Sequence, residues 1–431
     1  MDHMVPAATF TYDNVTIDAQ THTISCRYLV DDEVFVEVAS IPGGDFTKPG
    51  IVEAAWWYFL LAGVSYYKTN PAPRVVIAAG TSSKAERDFL QTFLIEGLGE
   101  FAFRNGIDVT GLRVEGEDET ARPVTITAPE THVLIPFGGG LDSIVTVHEL
   151  SPRADRAALF VAERPNARFD AIEAPAKQTG LDVIRATRAI DPKLLDGVDR
   201  GYRNGHVPVT GILSALGVVT ALAHDFGSLA MSNERSASSA TTTGPFGPVN
   251  HQWSKGLAFE QGFSKVLSER IDGFSYFSWL RNRSELSIAS VFASLPAYHS
   301  LFRSCNRAFH QDPTRRLDTW CGVCDKCLFI DLALAPYLSA QELDQIFSGT
   351  EPLANPALEE QLNILCDTSE GIRPFECVGD ADECQAALLL AVQRPDRQDN
   401  PMMHLVASKI RQAPLPAADQ PTAIPDWLLR G

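Results

Sequence analysis

His132–Leu150 reads HVLIPFGGGLDSIVTVHEL. The apolar run from His132 to Phe137 is too short for a buried helix and reads as a buried strand. Gly138, Gly139 and Gly140 follow, then Leu141, Asp142 and Ser143. Ile144, Val145, Val147, His148 and Leu150 continue at helical spacing. A strand, a glycine turn and a helix start make a cradle for an anion. Glycine lets the backbone take φ > 0 and approach a ligand closely, and the first N–H groups of a helix lack intrahelical partners. No Gly-Lys-Ser/Thr closes the turn, so it is not a Walker loop, nor is it Gly-x-Gly-x-x-Gly. An ordinary tight strand-to-helix turn also favours glycine; the Asp-Ser pair at the helix start points past it.

Outward from this stretch the pattern keeps alternating. Ala157–Ala162, Leu181–Ala186 and Ser228–Met231 read as strands, and Phe169–Gln178 and residues 207–224 as helices. Such alternation implies an α/β fold with a parallel sheet wrapped by helices, whose ligands lie at the C-terminal strand ends. A site is therefore expected in the loops after Phe137, Ala162 and Met231. The third carries Ser232-Asn233-Glu234-Arg235-Ser236, a Ser/Ala/Thr/Gly-rich run expected to be mobile over 237–248, and Asn250-His251-Gln252-Trp253-Ser254-Lys255. Long loops in compact domains are functional or disordered. Arg235 and Lys255 read as cations for a phosphate or as solvated surface charges. His251 reads as a general base or as a structural hydrogen-bond partner.

Upstream, residues 8–40 show short alternating runs and read as a β-meander. Residues 51–68 form an apolar helix whose Trp56, Trp57, Tyr58, Tyr66 and Tyr67 read as packing residues rather than as a stack for a nucleobase. Arg74–Ala79 is a strand and Ser83–Asn105 a helix. An acidic, proline-containing break at Glu115–Pro123 marks a boundary. Downstream, residues 257–270 and 284–295 read as helices, the second capped by Ser284 and preceded by Arg281 and Arg283. Ser300–Arg303 reads as a strand leading into Cys305-Asn306-Arg307. The divisions are residues 1–127, an α+β domain; 128–300, the nucleotide-cradle domain; 301–395, a cysteine knuckle and helical region; and 396–431, a loosely ordered tail with four prolines in its last twenty residues.

The 431-residue chain is long enough for two or three domains. Its net charge of −18 argues against a nucleic-acid partner, which needs clustered Lys and Arg. Any anionic ligand must be met by a few placed cations. Met1-Asp2-His3-Met4 lacks the basic and apolar regions of a secretory signal. Trp56–Val64 and Thr210–Ala223 fall short of the roughly 18 apolar residues that span a membrane. A cytoplasmic protein without a membrane span is expected; the sequence leaves the oligomeric state open.

The eight cysteines are clustered. Cys321-Gly-Val-Cys324-Asp-Lys-Cys327, with Cys305 upstream, has the spacing that turns thiolates onto one soft ion. A closed structural zinc site is the first reading; an iron–sulfur cluster and free or catalytic thiols are the others. Cys26 and Cys384 read as packing residues. Cys377, in Arg373-Pro-Phe-Glu-Cys-Val-Gly379, forms an acid–base pair with Glu376, or lies in a turn before the helix at Ala381–Val392.

GGGLDS resembles the SGGxDS loop of the PP-loop ATP pyrophosphatases, which have an adenine nucleotide alpha hydrolase-like fold and cleave ATP to AMP and pyrophosphate. The resemblance implies that Gly138, Gly139 and Gly140 hold the pyrophosphate end, that Asp142 helps hold Mg²⁺ and that Ser143 donates to a phosphate. The family's leading Ser or Thr is Gly138 here, which removes one hydroxyl donor and leaves the backbone cradle. The loop with the cysteine knuckle resembles the 7-cyano-7-deazaguanine synthases, which adenylate a carboxylate and carry a four-cysteine zinc site. A longer ordered set is similar to the MurL-type glycopeptidyl-glutamate epimerases: LAGVSYYK (61–68), IPFGGGLDS (135–143), SNERSA (232–237), VNHQWSK (249–255), FRSCNRAF (302–309), WCGVCDKC (320–327) and PFECVG (374–379). These enzymes convert the terminal L-Glu of UDP-N-acetylmuramoyl-L-alanyl-L-glutamate to D-Glu with ATP and Mg²⁺, in peptidoglycan precursor synthesis. The similarity implies ATP and Mg²⁺ as cofactors and the UDP-linked dipeptide as partner, and the resemblance to the synthases adds a structural Zn²⁺ on Cys305, Cys321, Cys324 and Cys327. It gives Arg235, Lys255 and Arg303 the polyphosphate or the acyl-adenylate. The proton-transfer pair would come from His251, Lys255, Glu234, Glu285, Cys305, Glu376 and Cys377; Cys305 cannot both ligate zinc and act as base. A PP-loop ligase or synthase and a non-catalytic zinc-stabilised nucleotide-binding module are the other readings these motifs allow.

Overall fold

A computed structural model describes residues 6–119, 122–165, 167–310, 312–411 and 422–429. In chain order the strands are β1 (Thr9–Asp18), β2 (Thr23–Val30), β3 (Glu33–Ser40), β4 (Arg74–Ser82), β5 (Arg113–Asp118), β6 (Val124–Thr125), β7 (His132–Pro136), β8 (Arg156–Glu163), β9 (Val183–Ala189), β10 (Ser228–Met231), β11 (Thr242–Gly244), β12 (Gly247–Val249), β13 (Ile271–Asp272) and β14 (Ser275–Ser278). Ten of them form one sheet in the order β14-β10-β7-β8-β9-β3-β2-β1-β4-β5. From β14 to β9 every pairing is parallel. The β9–β3, β3–β2 and β2–β1 pairings are antiparallel, and β1–β4 and β4–β5 are parallel again.

The α/β expectation holds, but the sheet is mixed rather than parallel, and it runs without a break past residue 127. An alternating pattern fixes which face a strand buries, not which neighbour it takes. Here Val38, Ala39 and Ser40 of the meander pair with Ala189, Arg188 and Thr187. A buried ion pair reinforces this seam. Glu37, fully buried, accepts from Arg188 Nε at 2.7 Å and Nη2 at 2.8 Å. The same carboxylate accepts from the Tyr58 and Tyr66 hydroxyls at 2.5 and 2.8 Å. The aromatic helix at Ile51–Ala62 is thus core, as its composition suggested.

Both sheet faces are covered, as parallel strands require. Leu134, Phe160 and Leu229 face a core shared with the helices Ile51–Ala62 and Val209–Ala223. Val133, Ile135, Leu159 and Ala230 alternate to the other face and pack with the helices Leu141–Leu150, Glu285–Ala293 and Asp325–Leu334.

Three local expectations change. Residues 237–248 are not structureless: Ser236–Ser238 is a 3-10 turn, and β11 and β12 form a hairpin. Ser300–Arg303 is not a strand; it follows the short helix Pro296–His299, and the last sheet member is β14, whose four residues give too short an apolar signal to read. Within the expected loose tail, Pro401–Ala407 is a helix capped by Asn400 with Met402, Met403 and Val406 buried, and Leu428 is buried too; residues 412–421 lie outside the described residues. Among the described residues no helix is long and apolar enough to cross a membrane.

Candidate active site

The glycine turn leaves β7 with Phe137 N–H bonded to Phe160 O at 2.8 Å. Gly139 has φ 74°, and a Cβ there would lie 2.3 Å from Ala171 O, so no other residue fits. Gly140 is the extended N-cap of helix Leu141–Leu150 and offers no side chain to it. The first N–H groups of this helix are thus left for a ligand. Ser143 Oγ donates to Gly140 O at 3.0 Å, so its hydroxyl braces the turn.

Asp142 lines a cleft of about 480 Å³ together with His206, His251, Lys255, Ser304, Lys326, Glu376 and Cys377. Lys255 Nζ donates to Cys377 Sγ at 3.1 Å, and Lys326 Nζ donates to the Cys377 carbonyl. His251 Nδ1 lies 2.5 Å from Glu100 Oε2, and His206 Nδ1 lies 3.4 Å from the same oxygen. Glu100 is 6% exposed.

The charges pull against burial. Burial raises the Cys377 thiol, but Lys255, the hydrogen bond with His251 and Lys326 outweigh it and bring it to about 6. Burial lowers His251, but its hydrogen bonds with Cys377 and Glu100 win and hold it at about 9. His206 is lowered to about 4 by burial and then by His251. Asp142 is raised to about 7 by burial and then by Glu234, with Lys326 and Lys255 opposing. Burial, Glu234 and Asp142 push Glu285 well above the usual carboxylate range. The site therefore offers a thiolate among cations on one side and crowded carboxylates on the other.

Residues 1–279 match the MurL N-terminal domain and residues 301–421 the MurL C-terminal domain. The chain belongs to the MurL family. Three curated relatives are each named UDP-N-acetyl-alpha-D-muramoyl-L-alanyl-L-glutamate epimerase. The one from Salinispora tropica is 37% identical over 410 residues, covering 91% of this chain and 87% of the relative. That from Xanthomonas oryzae pv. oryzae is 34% identical over 402 residues, covering 91% and 88%. That from Micromonospora sp. is 33% identical over 428 residues, covering 95% and 92%. No solved structure matches the chain.

The cleft is built by both MurL domains. Asp142, His206, His251 and Lys255 come from the N-terminal segment; Ser304, Lys326, Glu376 and Cys377 come from the C-terminal one. Arg281, fully buried, fixes the loop between β10 and the next long helix. Its Nε bonds Glu260 Oε2 at 2.8 Å, its Nη1 bonds Glu234 O at 2.8 Å and its Nη2 bonds Lys255 O at 2.6 Å.

Of the residues expected at the site, Asp142, His251, Lys255, Glu376 and Cys377 meet in the cleft of this MurL protein. Glu234 and Glu285 are buried, 3% and 8% exposed; the charge of Glu234 raises Asp142, and Glu234 and Asp142 together raise Glu285. Arg235 turns to Glu383, with Nη2 at 2.8 Å from Oε1. Arg303 bonds the backbone carbonyls of Ser300 and Phe302 at 3.1 and 2.7 Å and lines a separate recess with Asp170 and Arg316. Sequence reasoning passed over Glu100, His206, Ser304 and Lys326. Glu100 stands far upstream of the loops after Phe137, Ala162 and Met231 and His206 between two of them, while Lys326 lies inside the knuckle, where the cysteines carry the signal.

The knuckle itself assembles. The Sγ atoms of Cys305, Cys321, Cys324 and Cys327 all lie within 4.8 Å of one another, with Cys321–Cys327 at 3.6 Å and Cys324–Cys327 at 3.4 Å. Thiolates on a tetrahedral ion at roughly 2.3 Å would stand about 3.8 Å apart, so the four sulfurs fit one ion. All eight cysteines are free thiols.

Proposed function

We propose that the chain converts the terminal L-glutamate of UDP-N-acetylmuramoyl-L-alanyl-L-glutamate to D-glutamate, with cleavage of ATP to AMP and pyrophosphate. The observation that carries this reading is the shared cleft: Asp142, which follows the glycine turn and suits a polyphosphate with its cation, lines the same cleft as Cys377, suited to proton transfer, and Lys255, whose ammonium supports the thiolate. Membership of the MurL family and the names of its relatives support the substrate.

The chemistry explains why both halves are needed. Taking an α-proton beside a free carboxylate would set a second negative charge next to the first. Adenylation of that carboxylate cancels its charge and acidifies the Cα–H. A base then takes the proton from one face, an acid returns one to the other, and water cleaves the acyl-adenylate. Lys255 and Lys326 sit where negative charge would build. Glu376, pushed toward its protonated form by burial and then by Asp325, suits the acid. Its Oε2 is buried and has no hydrogen-bond partner among the described residues.

Glu234 and burial push Asp142 toward its protonated form, and a divalent cation beside Asp142 would relieve that repulsion. Mg²⁺ held by Asp142 would neutralise phosphate charge. Four thiolates this close have room for one ion rather than a four-iron cluster, so we assign zinc to the knuckle. It would pin the Cys305 loop to the start of helix Asp325–Leu334, whose Lys326 reaches the cleft.

The test is one incubation in D₂O with ATP, Mg²⁺ and the UDP-linked dipeptide, following pyrophosphate, α-deuteration and the chirality of the glutamate after hydrolysis. Deuterated D-glutamate formed with pyrophosphate is expected. Pyrophosphate without D-glutamate would point to a ligase or synthase, and neither product from folded, metal-replete protein would sink the substrate assignment.

A further inference from the structure

We propose that Cys377 is the base that removes the α-proton, and that Glu100, from the N-terminal half of the chain, is the positioning residue that holds His251 against it; this deepens, and rests on, the epimerase reading. Three groups converge on Cys377. Lys255 Nζ donates to its sulfur at 3.1 Å, Lys326 Nζ donates to its carbonyl, and the His251 imidazole lines the same cleft, where it favours the thiolate. His251 is in turn fixed from behind, with Nδ1 2.5 Å from Glu100 Oε2.

Glu100 is itself held. Its other oxygen accepts from Arg104 Nε at 2.6 Å. The Arg104 guanidinium lies 4.8 Å over the ring of Phe375, two residues before Cys377. The helix Gly99–Asn105 thus clamps the segment that carries the thiol. A reactive group, a histidine beside it and a buried carboxylate that orients the histidine form the arrangement by which proteins keep a reactive side chain ionised. The charged groups facing the sulfur are Lys255, Lys326 and His251 on one account, and Asp142 and Glu376 on the other. The three cations outweigh the two acids, both of which are themselves pushed toward neutrality.

In the step itself the Cα–H bond breaks and an S–H bond forms. The electron pair stays on carbon, spread into the activated carbonyl, and Cys377 becomes a neutral thiol. An equal proton reaches the other face from the acid of the cleft, and Cys377 returns its own to solvent before the next turnover, so none is consumed.

Full-length protein tests this in two ways. In D₂O with ATP, Mg²⁺ and the dipeptide substrate, Cys377→Ser is expected to lose α-deuteration by about 100-fold or more, while pyrophosphate release stays measurable. Independently of turnover, the rate at which iodoacetamide alkylates Cys377 is followed against pH by peptide mass spectrometry. Glu100→Gln keeps the buried volume and removes the charge behind His251. It is expected to move the inflection up by about one pH unit and cut alkylation below it by roughly tenfold, with Glu100→Asp restoring part of the loss. Wild-type deuteration in Cys377→Ser, or pyrophosphate release abolished along with deuteration, would overturn the base. An unchanged alkylation profile in Glu100→Gln would overturn the positioning role. If wild-type protein shows the alkylation profile but forms no pyrophosphate, the epimerase reading falls and the base assignment with it, while the local arrangement stands.

Discussion

Lys255 Nζ and Cys377 Sγ lie 3.1 Å apart although 122 residues separate them in the chain. Each holds the other charged. Burial works against the Lys255 ammonium, yet Cys377 and Glu234 keep it well above the usual lysine range. Lys255→Met retains the apolar stem and removes the charge. Alkylation of Cys377 at pH 7 should then fall by about tenfold or more, with little change in far-UV circular dichroism. Alkylation at the wild-type rate would show that the other cations suffice.

Turnover should be bell-shaped in pH. Below about 6 Cys377 takes up a proton and ceases to be a base. Above about 9 His251 loses the proton that stabilises the thiolate. The logarithm of kcat/KM for epimerisation, measured from pH 5 to pH 10, should therefore bend near those two values. Stability carries the same sign on the alkaline side. The pKa of His251 is raised from 6.5 to about 9, so its contribution is complete below 6.5 and is lost as pH rises through 9. Urea midpoints at pH 7 and pH 9.5 would show it.

Arg281→Leu should cost about 3–5 kcal/mol, because it leaves Glu260 buried without its counter-ion. It also releases the carbonyls of Glu234 and Lys255, so activity should fall with stability. Arg283→Leu is the control. Arg283 is about one-third exposed in its pair with Glu149, and its loss should cost about 1 kcal/mol or less. Similar urea midpoints for the two variants would contradict this account of the loop.

Asp142→Asn should abolish pyrophosphate release. Asp142 titrates at about 7, so Mg²⁺ should raise the wild-type Tm more at pH 8, where the carboxylate is ionised, than at pH 6. The variant should show neither stabilisation. Normal pyrophosphate release by Asp142→Asn would remove the residue from the nucleotide site.

Purified protein should hold about one zinc per chain by elemental analysis. Cys324→Ser or a strong chelator should lower Tm and, by freeing helix Asp325–Leu334, weaken the Lys326 contact with Cys377. An unchanged Tm after complete chelation would leave the four sulfurs without a structural metal.

The local elements were legible because their signals are local. The β7 strand, its glycine turn and the helix after it follow from a short apolar run, three glycines and an apolar set at helical spacing. Ser284 caps the helix it was expected to cap, and Ser83, read as a helix start, is the N-cap of the helix Lys84–Gly97. What needed coordinates was pairing at long range. Arg235 reads as a free cation in sequence; in space Glu383, on a helix 148 residues away, takes it. Arg303 is similarly consumed by backbone carbonyls. Glu100 reads as one more surface carboxylate until the loop with His251 folds over it.

The seam between β3 and β9 has a consequence for biosynthesis. Arg188 is translated 151 residues after Glu37. Until it emerges from the ribosome, β3 offers an open edge, and the carboxylate that the fold buries has no guanidinium. A nascent chain at that stage can mispair with its neighbours on a polysome. A fragment that stops at residue 127 stays at that stage permanently, so the N-terminal third should aggregate when made alone, however well its own strands are formed.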